Sequence, residues 1–579
     1  MVHLRLHQSF HWRLAFIIFI FLALLAAVIL RVFSLAIVEH RRFALAAGEQ
    51  QNLLQVIPSR RGAIYGQDKS GNLQPLAIQK TFWTLVAIPK ELADAEAAAG
   101  ALAGILGRPE EEFRLKLAKQ DDPYEVLSRK LDEAAADRVR TLHLRGLALV
   151  EETRRVYPKG TLAASALGFV NYQDGEERGE YGIERHYDAS LRGERGLFEG
   201  AKDASGSWVA IGRRILNPPV DGDAVVLTLD PNIQFRVESE LAALREKWQA
   251  ESAAAVVLEP KTGRILALAA LPAFDPNEYA RERDYAVFRV PIIDAQFELG
   301  SVFKPITMAA GIYEGVIRPD TAYEDPGSRK INGFTVSNFD GRSHGVQTMT
   351  QVLEKSLNTG AIFAGERLGK EKFLAAVKRF GFGEKTGVDF PGEVAGDISN
   401  LGANRDIEYA TASFGQGIAV TPLQMAAAIG AVANHGVLMR PYLVEKIVDA
   451  NGIEEVRRPQ EVRRVVSAET AETVSKMLVS VVRNGFDKHA QTPGYFVAAK
   501  TGTAQIPLKD GRGYSDEVIH TFVGYAPAFD PKFLILIQLN RPKGNRFAAN
   551  TITPAFKNLS EFLFSYFEIP PDERSGIEP

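Results

Sequence analysis

Ser301 and Lys304 stand three residues apart, between Gly300 and Pro305. At that spacing two side chains share one face of a helix. Pro305 suits a first helical turn better than an interior. A hydroxyl with an amine one turn away can become a nucleophile if the amine sheds its charge and takes the hydroxyl proton. Alone the tetrapeptide says little, since about one or two such spacings are expected by chance in a chain of this size. Here S-x-x-K occurs once and two further motifs follow it. Ser356-Leu357-Asn358 is the S-x-N that follows it, 55 residues on; taken singly it reads as a helix N-cap. Lys500-Thr501-Gly502-Thr503 carries one of three K-T-G triplets. Lys261-Thr262-Gly263 falls in a hairpin turn and Lys385-Thr386-Gly387 in a glycine-rich loop, both ordinary turn chemistry. Only Lys500 follows an apolar strand. A glycine inside a strand marks close approach of another group to the backbone, as a strand lining a substrate cleft needs.

The elements that must position these residues follow from periodicity. Ala224 to Leu229 predicts a strand, 232–249 a helix, and 253–258 with 264–269 a β-hairpin. Then come the Ser301 helix, more helices to about Phe380, a glycine-rich loop over 381–396 and an apolar helix from Pro422 to about Ala433. Strands return at 495–503, 520–525 and 533–539, with a closing helix over 551–567. Hairpin, helical region, then strands again is an α+β ordering, an antiparallel sheet with a helical subdomain. Upstream, a juxtamembrane helix is expected over 39–60, ended by Pro58 and Gly62. From Gly62 to about Pro219, strand-like pieces (Phe82 to Ile88, Leu147 to Glu151) alternate with helical stretches (Glu91 to Leu106, Glu110 to Lys119). That module holds no catalytic cluster, and Asn217 to Asp223 reads as a linker.

The 579 residues suffice for two or more domains, and 46% hydrophobic with 24% charged residues is an ordinary globular balance. A net charge of -3 gives no argument for nucleic acid. The absence of cysteine removes disulfides, thiol nucleophiles and cysteine-bound zinc. No H-E-x-x-H cluster occurs, so neither metal nor cofactor is expected, and His344 and His520 read as surface or core residues. Leu14 to Leu30 runs 17 residues without a charge, about 25 Å as a helix, and continuing to Val38 covers a bilayer core. Arg5 and Arg13 precede it, which places the N-terminus in the cytoplasm. A cleaved signal peptide is the competing reading; the run is long for one, and no clear cleavage site precedes a new mature start. The expectation is one transmembrane helix with the bulk of the chain beyond the plasma (inner) membrane.

S-x-x-K, S-x-N and K-T-G in that order form a set known from penicillin-binding proteins and serine β-lactamases. The chain resembles the penicillin-binding proteins, and the likeness reaches beyond the triplet. Phe274-Asp275-Pro276-Asn277 precedes the serine. Phe414-Gly415-Gln416-Gly417, Thr421-Pro422-Leu423-Gln424 and His520 to Pro527 follow. Upstream, Arg61-Gly62-Ala63-Ile64-Tyr65, Tyr157-Pro158-Lys159-Gly160, and Gly182-Ile183-Glu184 with Tyr187-Asp188 look like the pedestal of class B members. No glycosyltransferase block is visible. The short N-terminus, the pedestal and the F-V-G-Y-A-P strand resemble the septal, cell-division type more than the elongation type. Leu299, where members usually have proline, and Ser165, where histidine is frequent, depart from the pattern without removing a catalytic group.

The resemblance implies a membrane-anchored peptidoglycan D,D-transpeptidase working through a serine acyl-enzyme. Residues 1–13 would be a cytoplasmic tail, 14–38 the transmembrane helix, 39–220 the pedestal, 221–568 the transpeptidase domain and 569–579 a flexible tail. Ser301 would be the nucleophile, Lys304 its base, Ser356 a proton relay, and Asn358 a hold on the donor peptide. Lys500, Thr501 and Thr503 would bind the terminal carboxylate beside Gly502, with the Ser301 and Thr503 N–H groups as oxyanion hole. Implied partners are stem peptides, β-lactams as covalent inhibitors, a multi-span glycan polymerase and division proteins. An elongation-type enzyme, a β-lactamase, a penicillin-sensing receptor and a scaffold with lapsed catalysis remain as alternatives.

Overall fold

Alternation of side chains along a strand requires a sheet covered on both faces to be apolar at every position. The strand Ser252–Leu258 (β1) meets that demand: Ala254, Val256 and Leu258 enter one core, Ala253, Ala255 and Val257 the other. With Ile265–Leu271 (β2), Ala498–Pro507 (β3), Tyr514–Ala526 (β4) and Phe533–Asn540 (β5) it forms an antiparallel sheet in the order β2-β1-β5-β4-β3. β3 lies at the edge. The computed structural model describes residues 3–34, 52–119, 122, 124–173, 176–201, 214–508 and 513–572.

One face of the sheet is covered by the helix Pro231–Lys247 (α1), through Ile233, Val237, Leu241 and Leu244, and by the C-terminal helix Thr553–Tyr566, through Phe556, Leu559 and Leu563. Asp230 caps α1 with its carboxylate on the Asn232 and Ile233 N–H groups. The other face carries Lys304–Tyr313 (α2), Asn358–Leu368 (α3), Pro422–Ala433 (α4) and Ala468–Asn484 (α5). α4 is apolar on every side and fully buried, as its sequence demands. Thr421 and Gln424 close a reciprocal capping box at its start.

The chain divides into two compact units, residues 1–60 with 193–221 and residues 61–192 with 222–579. In the first, Asn52–Ile57 pairs with Gly196–Ala201, which pairs with Arg214–Asn217. The helix expected to run to about residue 60 is therefore a strand over Asn52–Ile57, formed by pairing with a segment distant in sequence. Its part over 39–51 lies outside the described residues. A helix covers His3–Phe33, with Phe19, Phe21 and Leu30 well exposed. Among the described residues no helix is long and apolar enough to cross a membrane, so the span expected over 14–38 does not follow from the structure.

In the second unit a sheet joins the pedestal residues to later chain. Ile64–Gln67 pairs in parallel with Ala224–Leu227, which pairs with Val444–Val448. The long strand Leu73–Ala87 then carries Glu125–Leu131 and Leu147–Val156. This corner is held by buried charge. Glu184 takes Arg61 Nε at 2.8 Å, Arg155 Nε at 2.7 Å and the Tyr157 hydroxyl at 3.1 Å. Arg61 also reaches Asp188 at 2.7 Å, and Arg155 the Gly62 carbonyl at 2.7 Å. Burial pushes the Glu184 carboxyl up, but Arg155 and Arg61 outweigh it and hold it below the ordinary value. Glu184→Ala leaves two buried guanidinium groups short of a partner and should cost roughly 3–5 kcal/mol, read as a lower urea midpoint.

Candidate active site

The chain enters the serine segment through a left-handed glycine, Gly300 at φ +63°. Gly300–Phe303 forms a 3₁₀ turn that passes directly into α2, so the turn carries Ser301 and α2 begins at Lys304. Pro305 sits in the first turn of α2. The Gly300 N–H donates to the Gly415 carbonyl at 3.1 Å, and Phe297 pairs with Val420. The Phe414 to Gly417 block thus braces the backbone on which Ser301 sits.

Across from it runs β3. A Cβ on Gly502 would strike the Leu299 carbonyl oxygen and come within 3.2 Å of the Val302 nitrogen. Glycine is what lets the strand lie against the serine turn. Of the other two K-T-G triplets, the one at 261–263 occupies the turn between β1 and β2 and the one at 385–387 an irregular loop, with Gly263 and Gly387 both left-handed, Lys261 bonded to Asp530 and Thr386 to Glu393.

Lys304 is fully buried. Its Nζ donates to the Ser356 carbonyl at 2.5 Å and lies 3.2 Å from Ser356 Oγ. Ser356 itself takes a left-handed backbone, φ +53°, a conformation uncommon outside glycine and one that tends to mark functional sites. Among the described residues Ser301 makes no side-chain hydrogen bond. Lys500, 2% exposed, gives its Nζ to the Thr501 carbonyl at 3.2 Å. Burial, and secondarily the Lys500 charge, push the Lys304 amine well below the ordinary lysine range. Lys500 is also lowered by burial, but Asp487 counters the shift.

Asn358 opens α3 and donates its amide nitrogen to the Ser337 carbonyl at 2.8 Å, which leaves Oδ1 toward other partners. The Thr501 hydroxyl donates to Asp487 at 2.7 Å. Thr503 Oγ1 accepts the Ala548 N–H at 3.1 Å, so its own hydrogen is free to donate. The structure therefore brings Ser301, Lys304, Ser356, Lys500 and Gly502 together, with Asn358, Thr501 and Thr503 as their chain neighbours.

Several supporting residues carried no motif. Asp325 accepts Thr359 Oγ1 at 2.5 Å, Asn338 Nδ2 at 2.9 Å and the His344 N–H at 2.9 Å. Burial would raise its pKa, yet these donors, Thr359 first, hold it below the usual carboxylate range. Asn338 in turn accepts the Thr359 N–H, so this cluster anchors the start of α3. Of the two histidines near the cleft, His520 is buried against Thr551 and pushed down to about 4 by burial, and His344 meets Asp340 at the surface. Asp325 lies in a short strand and Asp487 in a turn, where an isolated aspartate gives no sequence signal.

This geometry has known counterparts. A family model described as the penicillin binding protein transpeptidase domain matches residues 253–561, and one for the penicillin-binding protein dimerisation domain matches 56–227. The chain is 33% identical over 491 residues to stage V sporulation protein D of Bacillus subtilis, covering 84% of this chain and 75% of that protein. It is 30% identical over 580 residues to the peptidoglycan D,D-transpeptidase FtsI of Escherichia coli, covering 98% and 94%. The crystal structure of penicillin binding protein 3 from Mycobacterium tuberculosis, complexed with aztreonam, superposes with a TM-score of 0.70 at 30% identity, covering 89% of this chain and 98% of that one. The chain belongs to the class B penicillin-binding proteins. It is a serine-type peptidoglycan D,D-transpeptidase.

A buried amine with a lowered pKa is stored cost. Unfolded, it keeps its proton to about pH 10.4; folded, it gives it up lower. Unfolding in that window takes up a proton, so stability rises with pH until the unfolded lysine also deprotonates. Lys304→Met removes the penalty and should stabilise the fold by about 0.5–2 kcal/mol while abolishing acylation, checked by thermal melting and penicillin labelling of one sample.

Proposed function

We propose that Ser301 is the nucleophile of a two-step acyl transfer that cross-links peptidoglycan stem peptides, with Lys304 as its base. The observation that carries this reading is the buried Lys304 amine. It lies one turn from the Ser301 hydroxyl, bonded to Ser356 and pushed toward its neutral form. Ser301 Oγ attacks the carbonyl between two terminal D-alanines as its proton passes to Lys304. The amide C–N bond then breaks, and the departing D-alanine nitrogen takes a proton relayed through Ser356. An amine of a neighbouring strand attacks the resulting ester and frees Ser301. Backbone N–H groups of Ser301 and Thr503 stabilise the oxyanion. Lys500 and Thr503 hold the terminal carboxylate, with Thr501 beside them, and Asn358 Oδ1 accepts from the donor peptide backbone.

β-Lactams present a strained amide in the same geometry and acylate the same serine. Labelled penicillin should leave one adduct on the protein by mass spectrometry and none on Ser301→Ala. An adduct surviving on that variant refutes the assignment.

The cellular role we infer is septal wall synthesis. The uncharged run Leu14 to Leu30 holds the chain in the plasma membrane with its N-terminus cytoplasmic. A multi-span glycan polymerase and division proteins are its partners. The F-V-G-Y-A-P strand supports this over the elongation type. A functional fluorescent fusion should gather at division sites; uniform side-wall signal would favour the elongation reading.

A further inference from the structure

Asp487 lies in the turn after α5 and is fully buried. Both carboxylate oxygens are taken by one residue. The Thr501 N–H donates to Oδ2 at 2.9 Å and the Thr501 hydroxyl to Oδ1 at 2.7 Å. β3 is an edge strand, so the Thr501 N–H that points away from β4 needs a partner outside the sheet, and Asp487 supplies it. Thr501 is the middle residue of the K-T-G triplet and is bonded to the neighbour of Lys500. The carboxylate is thus bonded one residue along the strand from Lys500 and acts on its amine through space without a direct ion pair, and among the described residues no carboxylate acts on Lys304.

We infer that Asp487 is a positioning residue of the transpeptidase site, fixing the edge of β3 through Thr501 and serving as the counter-ion that keeps Lys500 cationic beside a neutral Lys304. The inference rests on the roles proposed above for Ser301, Lys304 and Lys500. Two buried amines in one cleft cannot both carry charge without large cost, and whichever has a carboxylate keeps its proton. Lys500 needs that proton because the Thr501 hydroxyl, donating to Asp487, has no hydrogen left for a substrate carboxylate. Lys500 and Thr503 must supply those donors.

Among the described residues no charge other than Asp487 acts appreciably on Lys500. On β4, Phe522 and Val523 stand opposite Thr501 and Lys500, and His520 is buried and neutral above about pH 4. The charged residues of α5, Glu469, Glu472, Lys476 and Arg483, are exposed. The serine turn and the short helix Ala548–Thr551 bring no charge to β3. Ahead of Ser356, Glu354 is bonded to Ser480 and Lys355 to Gln347. In the turn itself Lys488 and His489 are exposed. Asp487 is the carboxylate that raises Lys500, and Lys500 is the charge that lowers Lys304.

The second-order rate of Ser301 acylation by a fluorescent penicillin, measured on the full chain from pH 5 to 10, tests this. In the wild type the acid limb reports loss of the Lys304 proton and the basic limb loss of the Lys500 proton. In Asp487→Asn the basic limb should fall by about 1–3 pH units while the acid limb does not rise, so the bell narrows from its basic side. Asp487→Glu should restore the basic limb at least in part. A rate lowered equally at every pH, with both limbs in place, would show Asp487 to be mere packing and overturn the inference. If the Asn variant does not melt cooperatively, Asp487→Ser carries the same comparison. No adduct on wild-type Ser301 would overturn the site reading beneath it.

Discussion

Two lysines buried in one cleft set the terms for the rest of this structure. Burial alone depresses both amines, and the Lys500 charge depresses Lys304 further. Each would be tolerated more readily as an apolar residue, so the fold must supply geometry that keeps them. For Lys304 it is the Ser356 carbonyl, offered by a left-handed residue at the end of a helix that stops one turn short of α3. For Lys500 it is the Thr501 carbonyl and the carboxylate behind Thr501. The unequal partners turn a shared desolvation penalty into a difference in charge, and a difference in charge is what acid–base chemistry requires.

That pair can exist only if the serine turn and β3 lie in van der Waals contact, and this contact runs through backbone. Gly502 removes the side chain that would separate them, and the Gly300 to Gly415 hydrogen bond fixes the turn from the opposite side. Behind Gly415, α4 begins with its capping box, and Gln424 reaches across to the Glu384 and Ala395 carbonyls at 2.6 and 2.7 Å. Motif blocks that are far apart in sequence are therefore successive layers of one support. The outermost layer is the Gly-rich loop over 381–396, which has little secondary structure of its own to hold it.

How much of this was legible in the sequence depends on whether a residue acts within its own element. Spacing alone placed Ser301 and Lys304 on one turn, and strand context picked Lys500 from three triplets. α1, α4 and β5 lie within two residues of their expected bounds because period and caps are local. The segment 52–57 reads as helix continuation until its pairing partner at 196–201 is known; the strand is specified by residues 139 to 149 positions away. Asp487 and Asp325 act through contacts set only by tertiary folding. Likewise Thr501 looked like a carboxylate ligand by motif, and nothing near it in sequence indicates that its hydroxyl is already engaged.

The rim of the cleft extends the same electrostatic logic. Phe339, Phe486 and Phe547 are 42–48% exposed, and Phe339 meets the other two edge to face, with ring centroids 5.4 and 5.7 Å apart. Each is the chain neighbour of a residue bonded into the site: Asn338 to Thr359, Asp487 to Thr501, and Ala548 to Thr503. Three separate elements are thus tied to one another by rings and to Thr359, Thr501 and Thr503 through the residues beside those rings. Apolar rings beside a cleft displace water, and with less water the field of one buried ammonium on another is screened less. A charge difference built from desolvation is sustained by keeping solvent out, and these rings add apolar surface beside the residues that hold the site.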